Sequence, residues 1–519
     1  MPDATSQPRP TRTGSLALGE LLATPTEPVE GASTPISGVA LDSRRVCPGD
    51  LYVALPGQLT HGARFAAVAV QAGAAAILTD PAGAALLADE PGVPVAVMAA
   101  PRVELARLAA AVYGRPSEAL LMLGITGTAG KTSTAFLIEA GLTAAGLTAG
   151  TIGTIGFRLR GEPLPAVRST VTTPESPDLQ ALLAVMRERG AEAVAMEVSS
   201  HALALHRVDA ITFDVAGFTN LGHDHLDFHH DQESYFQAKA ALFRNGRSRR
   251  AVVNADDPWG RRLVAELRSE AAAQVVTTGG AEADYRILAQ QPQDDGSRRV
   301  RLATPSGEQE FTLGLVGEFN LFNALTAAAM LDQAGIDLGA ALAGFATASI
   351  PGRMQRVPLP GAAPNVVVDF AHTPEAVTAA LAALPEGRTT VVLGCGGDRD
   401  AAKREPMGAA AADGADVVVV TDDNPRSEDP AAIRAAVLAG ARRRAAVTGA
   451  EVLDGGDRRT AIRLALGQAG PGEWVAILGK GHERGQEVAG MITSFDDVAV
   501  VAETWQALQP GPGGAGWTA

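Results

Sequence analysis

Cysteine, aromatic residues and positive charge are all scarce in this chain. Only two cysteines occur, Cys47 and Cys395, and their wide separation excludes a disulfide framework and favours a reducing compartment. Aromatic residues make up 4% of the 519 residues, so alanine carries much of the core. The formal net charge of −15 argues against nucleic acid or an anionic membrane surface as the main partner. Any anionic ligand therefore has to be held by local cations and backbone amides.

Long apolar runs are also missing. The opening residues, "MPDATSQPRPTRTG", lack the apolar core of a signal peptide, and no uninterrupted apolar stretch is long enough to span a bilayer. We therefore expect a cytoplasmic chain without membrane insertion. Residues 1–14 and 509–519 are polar or rich in glycine and proline, which predicts disordered tails that carry no chemistry.

The length of the chain predicts about three domains. Residues 15–116 alternate alanine-rich helical pieces with short apolar strands, which indicates a small α/β domain. A second domain, residues 117–352, begins with a buried strand and ends at a Pro-Gly joint. The third domain, residues 353–508, repeats an apolar strand, a polar tip and a helix. Because the carboxyl ends of parallel strands meet at one edge of a sheet, we expect these tips to share a rim.

The segment "GITGTAGKTS", residues 124–133, follows a predicted strand and opens a predicted helix, as a phosphate-binding loop requires. Its glycines let backbone N–H groups close around phosphate oxygens, Lys131 neutralises charge, and the Thr132 hydroxyl can hold Mg²⁺. A glycine-rich structural turn is the alternative. Asn320 and Asn323, near the start of a later helix, could meet a nucleobase or simply cap the helix.

Two further segments carry groups that could bind a metal. In "AVAMEVSSH" a strand ends at Glu197, whose carboxylate beside a phosphate-binding loop suits Mg²⁺, while a helix-capping pair, Ser199 and Ser200, with a surface acid is the alternative. The segment "NLGHDHLDFHHD", residues 220–231, concentrates histidines and acids. It misses the spacing of dinuclear metallohydrolases because Phe228 stands where the last histidine is needed. We therefore prefer Mg²⁺, bound by one or two of these groups.

Three predicted strand tips of the third domain carry charge. The corner "TDDNPRSEDP" has strong turn chemistry and a single arginine at its centre, Arg426. Taken singly, such charged groups are most often solvated loop residues, but three charged tips on one rim favour a polar small-molecule pocket. The charged residues of the other two tips, "GCGGDRD" and "GKGHE", are Arg399, Lys480, His482 and Glu483.

A set of motifs occurs in order between the predicted tails: "GTAGKTS", "TTPES", "MEVSSH", "NLGHDHLD", "NADD", "GEFNLFN", "PGRMQ", "DFAHTP", "GCGGDRD", "DNPR" and "GKGHE". This set resembles the Mur ligases of peptidoglycan precursor synthesis. The resemblance implies an N-terminal α/β UDP-binding domain, a central P-loop ATPase domain with a mostly parallel sheet, and a C-terminal Rossmann-like domain. It also implies a monomeric ATP-dependent amide ligase with Mg²⁺ as cofactor. That enzyme would add meso-2,6-diaminopimelate to the γ-carboxylate of D-glutamate in UDP-N-acetylmuramoyl-L-alanyl-D-glutamate through an acyl phosphate.

The resemblance assigns site residues as well. The UDP-muramoyl-dipeptide would contact Leu41, Ser43, Gln58, Leu59, Thr60, Thr172, Thr173, Ser199 and Arg207. ATP would contact Gly127, Thr128, Ala129, Gly130, Lys131, Thr132, Ser133, Asn323, Arg353 and Asp369. Diaminopimelate would contact Arg399, Asp423, Asn424, Pro425, Arg426, Gly479 and Glu483. Mg²⁺ would be held by Thr132, Glu197, His225 and Lys239, the last as a carbamate, and the catalytic residues would be Lys131, Glu197, His225 and Lys239.

Some positions depart from the family pattern, and other functions compete with the ligase. Ala129 stands where asparagine is usual, Ser133 where threonine is common, and Leu205 where some members have glutamine. The alternatives are a lysine-adding or folylpolyglutamate-type ligase, a metallohydrolase, and a nucleotide sensor without turnover. The "DNPR" motif favours diaminopimelate, because Arg426 can bind the distal carboxylate that lysine lacks.

Overall fold

The computed structural model describes residues 9–11, 14–22, 30–57, 59–87, 91–164, 171–222, 224–270, 273–293 and 295–509, without the side chains of Leu226 and Asp227. The chain forms two compact units. The first unit comprises residues 1–289, 301–310 and 323–345, and the second comprises residues 290–300, 311–322 and 346–519. The three predicted domain boundaries stay a prediction.

The N-terminal part of the first unit is built on four short parallel strands. Its strands are β1 (Leu16–Ala17), β2 (Pro35–Ile36), β3 (Gly38–Ala40), β4 (Asp50–Ala54), β5 (Ala76–Thr79) and β6 (Val95–Val97), and its helices are α1 (Leu18–Leu21), α2 (Ala66–Gln71), α3 (Pro81–Ala84) and α4 (Pro101–Val112). Strands β3 to β6 pair in sequence order, all parallel, and β1 pairs with β2. Every residue of β4 and β5 is buried, which is why these strands read as continuous apolar runs rather than alternating ones.

Arg9, which belongs to the predicted N-terminal tail, forms an ion pair with Asp50. Both terminal nitrogens of this arginine donate to the buried carboxylate of Asp50, at 2.5 and 2.6 Å. A buried carboxylate needs such a partner, so the ion pair orders this residue. Residues 1–8, 12–13 and 510–519 of the predicted tails lie outside the described residues.

The central part of the first unit contains an eight-stranded sheet. Its strands are β7 (Leu121–Thr126), β8 (Ala149–Gly153), β9 (Gly156–Leu159), β10 (Glu162–Pro163), β11 (Ala193–Glu197), β12 (Phe213–Phe218), β13 (Ser248–Asn254) and β14 (Gln274–Thr278), and its helices are α5 (Lys131–Ala144), α6 (Ser176–Glu188), α7 (Ser200–Ala204), α8 (Leu226–His229), α9 (Gln232–Ala240) and α10 (Pro258–Glu270). The strand order is β10-β9-β8-β11-β7-β12-β13-β14, parallel except at β9 and β10. This confirms the predicted mostly parallel sheet, with β7 and β11 at its centre.

A small sheet and two helices follow the central sheet in sequence. They are β15 (Arg286–Pro292), β16 (Arg298–Thr304), β17 (Gly307–Leu313), α11 (Phe319–Gln333) and α12 (Leu338–Ala343). Short 3₁₀ helices elsewhere cover Ser43–Arg45, Gly62–Phe65, Pro116–Ala119, Ala241–Phe243, Gly344–Ala346 and Ala401–Lys403. Helix α11 begins where the asparagine-containing motif predicted a helix.

The C-terminal part of the chain forms a six-stranded sheet covered by helices. Its strands are β18 (Gln355–Val357), β19 (Asn365–Asp369), β20 (Thr389–Cys395), β21 (Val417–Asp422), β22 (Glu451–Gly456) and β23 (Trp474–Leu478), followed by the hairpin β24 (Gly485–Val488) and β25 (Met491–Ser494). The helices are α13 (Pro374–Ala382), α14 (Arg404–Gly414), α15 (Pro430–Thr448), α16 (Arg458–Gln468) and α17 (Asp497–Leu508). The order is β18-β19-β23-β20-β21-β22, and all strands but β18 run parallel. The predicted strand tips therefore do share one rim.

Candidate active site

The phosphate-binding loop joins β7 to α5, as predicted. Gly127 and Gly130 adopt φ values of 151° and 88°, and a β-carbon at Gly127 would lie 1.9 Å from the Thr219 hydroxyl oxygen. Only glycine fits such a backbone. The ammonium group of Lys131 donates to the carbonyl oxygens of Gly127 and Thr128, at 2.8 and 3.0 Å. The lysine is thus held over the loop in which a phosphate would lie.

Glu197 connects the loop to the neighbouring strands. It ends β11, is 1% exposed, and accepts a hydrogen bond from the Thr132 hydroxyl at 3.0 Å. The backbone N–H and the hydroxyl of Thr154 donate to its two carboxylate oxygens at 2.9 and 3.0 Å. A hydroxyl and a carboxylate this close offer hard oxygen ligands of the kind Mg²⁺ prefers. The donor set fits the predicted cation at Thr132 and Glu197.

Lys239 lies beside the same loop, although its sequence context resembled a surface helix. It is 1% exposed, and its ammonium group donates to the carbonyl oxygen of Gly127 at 2.8 Å. The ring centroid of Tyr235 is 4.5 Å away. Burial, followed by the positive charge of Lys131, holds the pKa of Lys239 well below its usual value. Lysines 131 and 239 therefore share one backbone acceptor.

The histidine-rich segment contributes a ring cluster. The ring of His225 lies 4.8 Å from that of His201 and 6.3 Å from that of Tyr235, the aromatic neighbour of Lys239. His229 bonds the Ser200 hydroxyl at 2.9 Å. Among the described residues, no group of three or more histidine, cysteine or acidic side chains is arranged to hold a metal ion. His223 and the side chain of Asp227, which belong to the same segment, lie outside the described residues.

The residues predicted for the muramoyl-dipeptide are linked to Glu197. The Thr173 hydroxyl donates to the backbone carbonyl oxygen of Glu197 at 2.8 Å and accepts from the Ser199 N–H at 3.1 Å. Arg207 donates to the Thr173 carbonyl oxygen at 3.0 Å. The Ser199 hydroxyl also caps α7, so the predicted capping alternative is observed for this residue. Thr172 lies 3.2 Å, hydroxyl to hydroxyl, from Thr154.

A cavity of about 710 Å³ opens beside β3 and β4 in the N-terminal part. Leu41, Ser43 and Thr60, predicted for the uridine side of the substrate, line it. Leu59 is almost fully exposed, and Gln58 lies outside the described residues. The volume suits a nucleoside-sized ligand.

Glu175 closes one side of this cavity and joins it to the peptide-side residues. Its carboxylate pairs with Arg102 at 3.1 Å and with Arg207 at 2.8 Å. Both Glu175 and Arg102 line the cavity. The cavity lined by the predicted uridine-side residues is therefore connected through Glu175 to Arg207, a predicted peptide-side residue.

The asparagines and the remaining predicted ATP residues fall into two groups. Asn323 packs against the phosphate-binding loop, since a β-carbon at Gly130 would lie 2.3 Å from its amide oxygen. Asn320 instead donates to the Val316 carbonyl oxygen at 2.8 Å, just before the helix. In the second unit, the carboxylate of Asp369 accepts from the N–H groups of Met354 and Ala371, and burial raises its pKa.

Arg353 lies near Asp369, with its guanidinium 5.1 Å from the ring centroid of Phe370. The structure thus brings the two C-terminal ATP candidates together within the second unit. Their contact with ATP stays a prediction.

The rim of the C-terminal sheet gathers the residues predicted for diaminopimelate. Arg426 has a φ of 53° and donates from its guanidinium to the carbonyl oxygen of Gly397 at 2.6 Å. Its backbone N–H bonds the Glu487 carbonyl oxygen at 3.0 Å, and its Nε lies 3.6 Å from the Glu487 carboxylate. Glu483 accepts from the Asn424 amide at 2.7 Å, while Arg399 is exposed on the neighbouring tip.

Sequence reasoning missed several residues at these sites. Lys480, one of the charged tip residues from which the sequence predicts a polar pocket, is completely buried with Asn424 and Glu483 around its ammonium group, so the solvated-loop alternative does not hold for it. Thr154 and Glu175 went unnoticed as well. The partners of Thr154 and Glu175 are distant in sequence or contributed by other strands, so no local spacing could have identified them.

A pair of lysines at a phosphate-binding loop, a strand-end carboxylate and a polar strand-tip rim are the parts of an ATP-dependent ligase. Three family descriptions match the chain: "Mur ligase family, catalytic domain" over residues 35–113, "Mur ligase middle domain" over 125–331 and "Mur ligase, glutamate ligase domain" over 352–481. The chain belongs to the Mur ligase family, with the three-part architecture that the motifs predicted.

Individual relatives match over nearly the whole chain. The UDP-N-acetylmuramoyl-L-alanyl-D-glutamate–2,6-diaminopimelate ligase of Streptomyces coelicolor is 48% identical, covering 97% of this chain and 99% of the relative. The ligase of the same name from Streptomyces avermitilis is 47% identical with the same coverage. A solved structure bearing this enzyme name has a TM-score of 0.71 at 30% identity, covering 95% of this chain and 99% of that one. No helix within the described residues is long and apolar enough to cross a membrane.

Proposed function

We propose that this chain is the ligase that joins meso-2,6-diaminopimelate to the γ-carboxylate of D-glutamate in UDP-N-acetylmuramoyl-L-alanyl-D-glutamate, using ATP. The observation that carries the proposal is the convergence of Lys131, Thr132, Glu197 and Lys239 on one phosphate-binding loop. The full-length similarity to ligases named for this reaction supports the choice of substrates. Such precursor synthesis would take place in the cytoplasm.

The chemistry begins with activation, because a carboxylate has no good leaving group for amide formation. The γ-phosphoryl group of ATP passes to an oxygen of the substrate carboxylate, and ADP leaves. Lys131 and the N–H groups of the loop stabilise the charge on the transferring phosphoryl oxygens. The amine nitrogen of diaminopimelate then attacks the acyl carbon, the bond from that carbon to the phosphate oxygen breaks, and inorganic phosphate is released.

Thr132, Glu197, His225 and Lys239 would hold Mg²⁺, which would supply positive charge opposite the phosphate oxygens. The lowered pKa of Lys239 supports its role, because a neutral amine can add to CO₂ and release a proton. The resulting carbamate is an anion and a hard oxygen ligand. A buried cation would thereby become a metal ligand.

The uridine end and the dipeptide end of the UDP-muramoyl-dipeptide would be bound by different residues. The 710 Å³ cavity with Leu41, Ser43 and Thr60 would take the uridine, and Thr172, Thr173, Ser199 and Arg207 the dipeptide. Diaminopimelate would lie on the rim, where Asn424, Arg426 and Glu483 are gathered. Arg426 would pair with the distal carboxylate.

The test is phosphate release from ATP in the presence of the UDP-muramoyl-dipeptide, with meso-diaminopimelate, LL-diaminopimelate or L-lysine as the amine. We expect release to need both the dipeptide and the amine, and kcat/KM to be at least about a hundredfold higher for meso-diaminopimelate than for L-lysine. Equal values for the two amines would refute the substrate assignment. Full phosphate release from ATP without any amine would refute the proposed ligase activity.

A further inference from the structure

Lysine is rare in this chain, and its position on the rim is therefore informative. Only four of the 43 lysines and arginines are lysines: Lys131, Lys239, Lys403 and Lys480. The other cationic side chains are arginines, which differ from lysine in carrying a planar fork of donors rather than a compact charge. Lys480 follows β23 and is 0% exposed.

The ammonium group of Lys480 has an acceptor for each of its three N–H bonds. It donates to the amide oxygen of Asn424 at 3.1 Å, to the Glu483 carboxylate at 3.3 Å and to the Gly485 carbonyl oxygen at 2.6 Å. Three acceptors around one nitrogen suit an ammonium group, whereas the planar fork of arginine directs its donors differently. Lys480 thus links the tips of β21 and β23 to the start of β24.

These bonds determine the orientation of the Asn424 amide. A lysine can only donate and an ionised carboxylate can only accept, so the amide oxygen must face Lys480 and the amide nitrogen must face Glu483. The observed bonds agree: the nitrogen donates to Glu483 Oε2 at 2.7 Å, and the oxygen also accepts from the Glu487 N–H at 3.0 Å. Lys480 and Asn424 together hold one oxygen of Glu483.

A second buried cation near the rim, Arg458, has a partner of its own. Arg458 is fully buried and forms a two-point ion pair with Asp497, each bond 2.7 Å long. Arg458 is thus paired directly with Asp497, whereas Lys480 donates a hydrogen bond to the Glu483 carboxylate at 3.3 Å.

We propose that Lys480 is a positioning residue for the amino-acid substrate. It holds the Glu483 carboxylate and the Asn424 amide in one arrangement, with Glu483 Oε1 left to accept from the ammonium group at the distal carbon of diaminopimelate. Arg426 then takes the carboxylate on the same carbon. The role rests on the proposed function, and it is one of orientation, since Lys480 itself is buried.

The test is a double-mutant cycle in the full-length enzyme with Lys480→Met, Glu483→Gln and the double variant. We expect Lys480→Met to raise the KM for meso-diaminopimelate about thirtyfold, as for truncation of one partner in a buried charged hydrogen bond. The KM for ATP should change less than about twofold. Because Lys480 acts through Glu483, adding Glu483→Gln should raise the KM for meso-diaminopimelate little further.

The control is Arg388→Met, which removes an exposed cation at the opposite edge of the same sheet, where Arg388 faces Glu473. It should leave both KM values unchanged. If Lys480→Met unfolds at the assay temperature, Lys480→Arg carries the test, since it keeps the charge but not the geometry and should also raise the KM for meso-diaminopimelate alone.

The proposal would be overturned if the effects of Lys480→Met and Glu483→Gln were additive. It would also be overturned if Lys480→Met left the KM for meso-diaminopimelate unchanged, or raised it no more than the KM for ATP. A wild-type enzyme that fails to use meso-diaminopimelate would instead overturn the proposed function, so the two failures are distinguishable.

Discussion

Two buried lysines, one in each unit of this protein, differ in the groups that surround their side-chain nitrogens. Lys480 on the C-terminal rim has a carboxylate, an amide and a carbonyl oxygen around its ammonium group. Lys239 beside the phosphate-binding loop bonds a carbonyl oxygen and faces an aromatic ring, and no described carboxylate lies within ion-pair distance of it. The two side chains are equally buried, at 0% and 1% exposure, so the difference lies in their partners.

The difference indicates what each lysine is for. A buried ammonium without a carboxylate loses its hydration and gains little in return, which is why the pKa of Lys239 is held well below its usual value. A lowered pKa makes the neutral, reactive amine easier to reach. A buried ammonium with a full set of acceptors is inert and orients its neighbours. The phosphate-binding loop therefore holds a lysine suited to chemistry, and the rim holds one suited to positioning.

The largest effect is expected for Lys239→Met. This variant keeps the length of the side chain but removes the amine, so we expect kcat to fall by about two to three orders of magnitude. The thermal unfolding midpoint should stay within a few degrees of wild type or rise, because a poorly compensated buried cation is removed. Steady-state kinetics and a thermal melt measure both quantities. Lys480→Met should lower the midpoint, since it leaves buried acceptors unpaired.

Depletion of CO₂ separates the two lysines further. It should lower the kcat of wild type and of Lys480→Met but leave the residual kcat of Lys239→Met unchanged. If the kcat of Lys239→Met stays within threefold of wild type, Lys239 does not have the chemical role that distinguishes it from Lys480.

An intermediate effect is expected for Arg426→Ala. Loss of the guanidinium should raise the KM for meso-diaminopimelate about thirtyfold, because a charged hydrogen-bonded partner of the distal carboxylate is removed. The KM for ATP should change little. Arg426→Lys is the matched control, and it should recover only part of the affinity because it lacks the bidentate fork. If the KM for meso-diaminopimelate and the KM for ATP rise in proportion, Arg426 does not select the amino-acid substrate.

The sequence predicts the strands better than it predicts the partners of the buried cations. Short apolar runs that lead into a polar or glycine-rich segment identified β7, β11 and the parallel strands of the C-terminal sheet, because such a run is a local pattern in the sequence. The burial of Lys480 depends on Asn424, 56 residues away, and that of Lys239 on Gly127, 112 residues away. Neither pairing leaves a spacing that can be recognised. The resemblance to the family supplied Lys239 but not Lys480, and the assigned site contacts stay predictions.

The smallest effect is expected for Glu487→Gln, and its direction is informative. The Glu487 carboxylate lies 3.6 Å from Arg426 Nε, and both side chains are partly exposed, so the pair contributes at most about 1 kcal/mol. A substrate carboxylate would compete with Glu487 for Arg426. Removing the charge of Glu487 should therefore lower the KM for meso-diaminopimelate about twofold and leave that for L-lysine unchanged. The backbone bond between Arg426 and Glu487 does not involve the side chain, so the corner should keep its shape. If the KM rises for both amines, Glu487 stabilises the corner and does not compete with the substrate for Arg426.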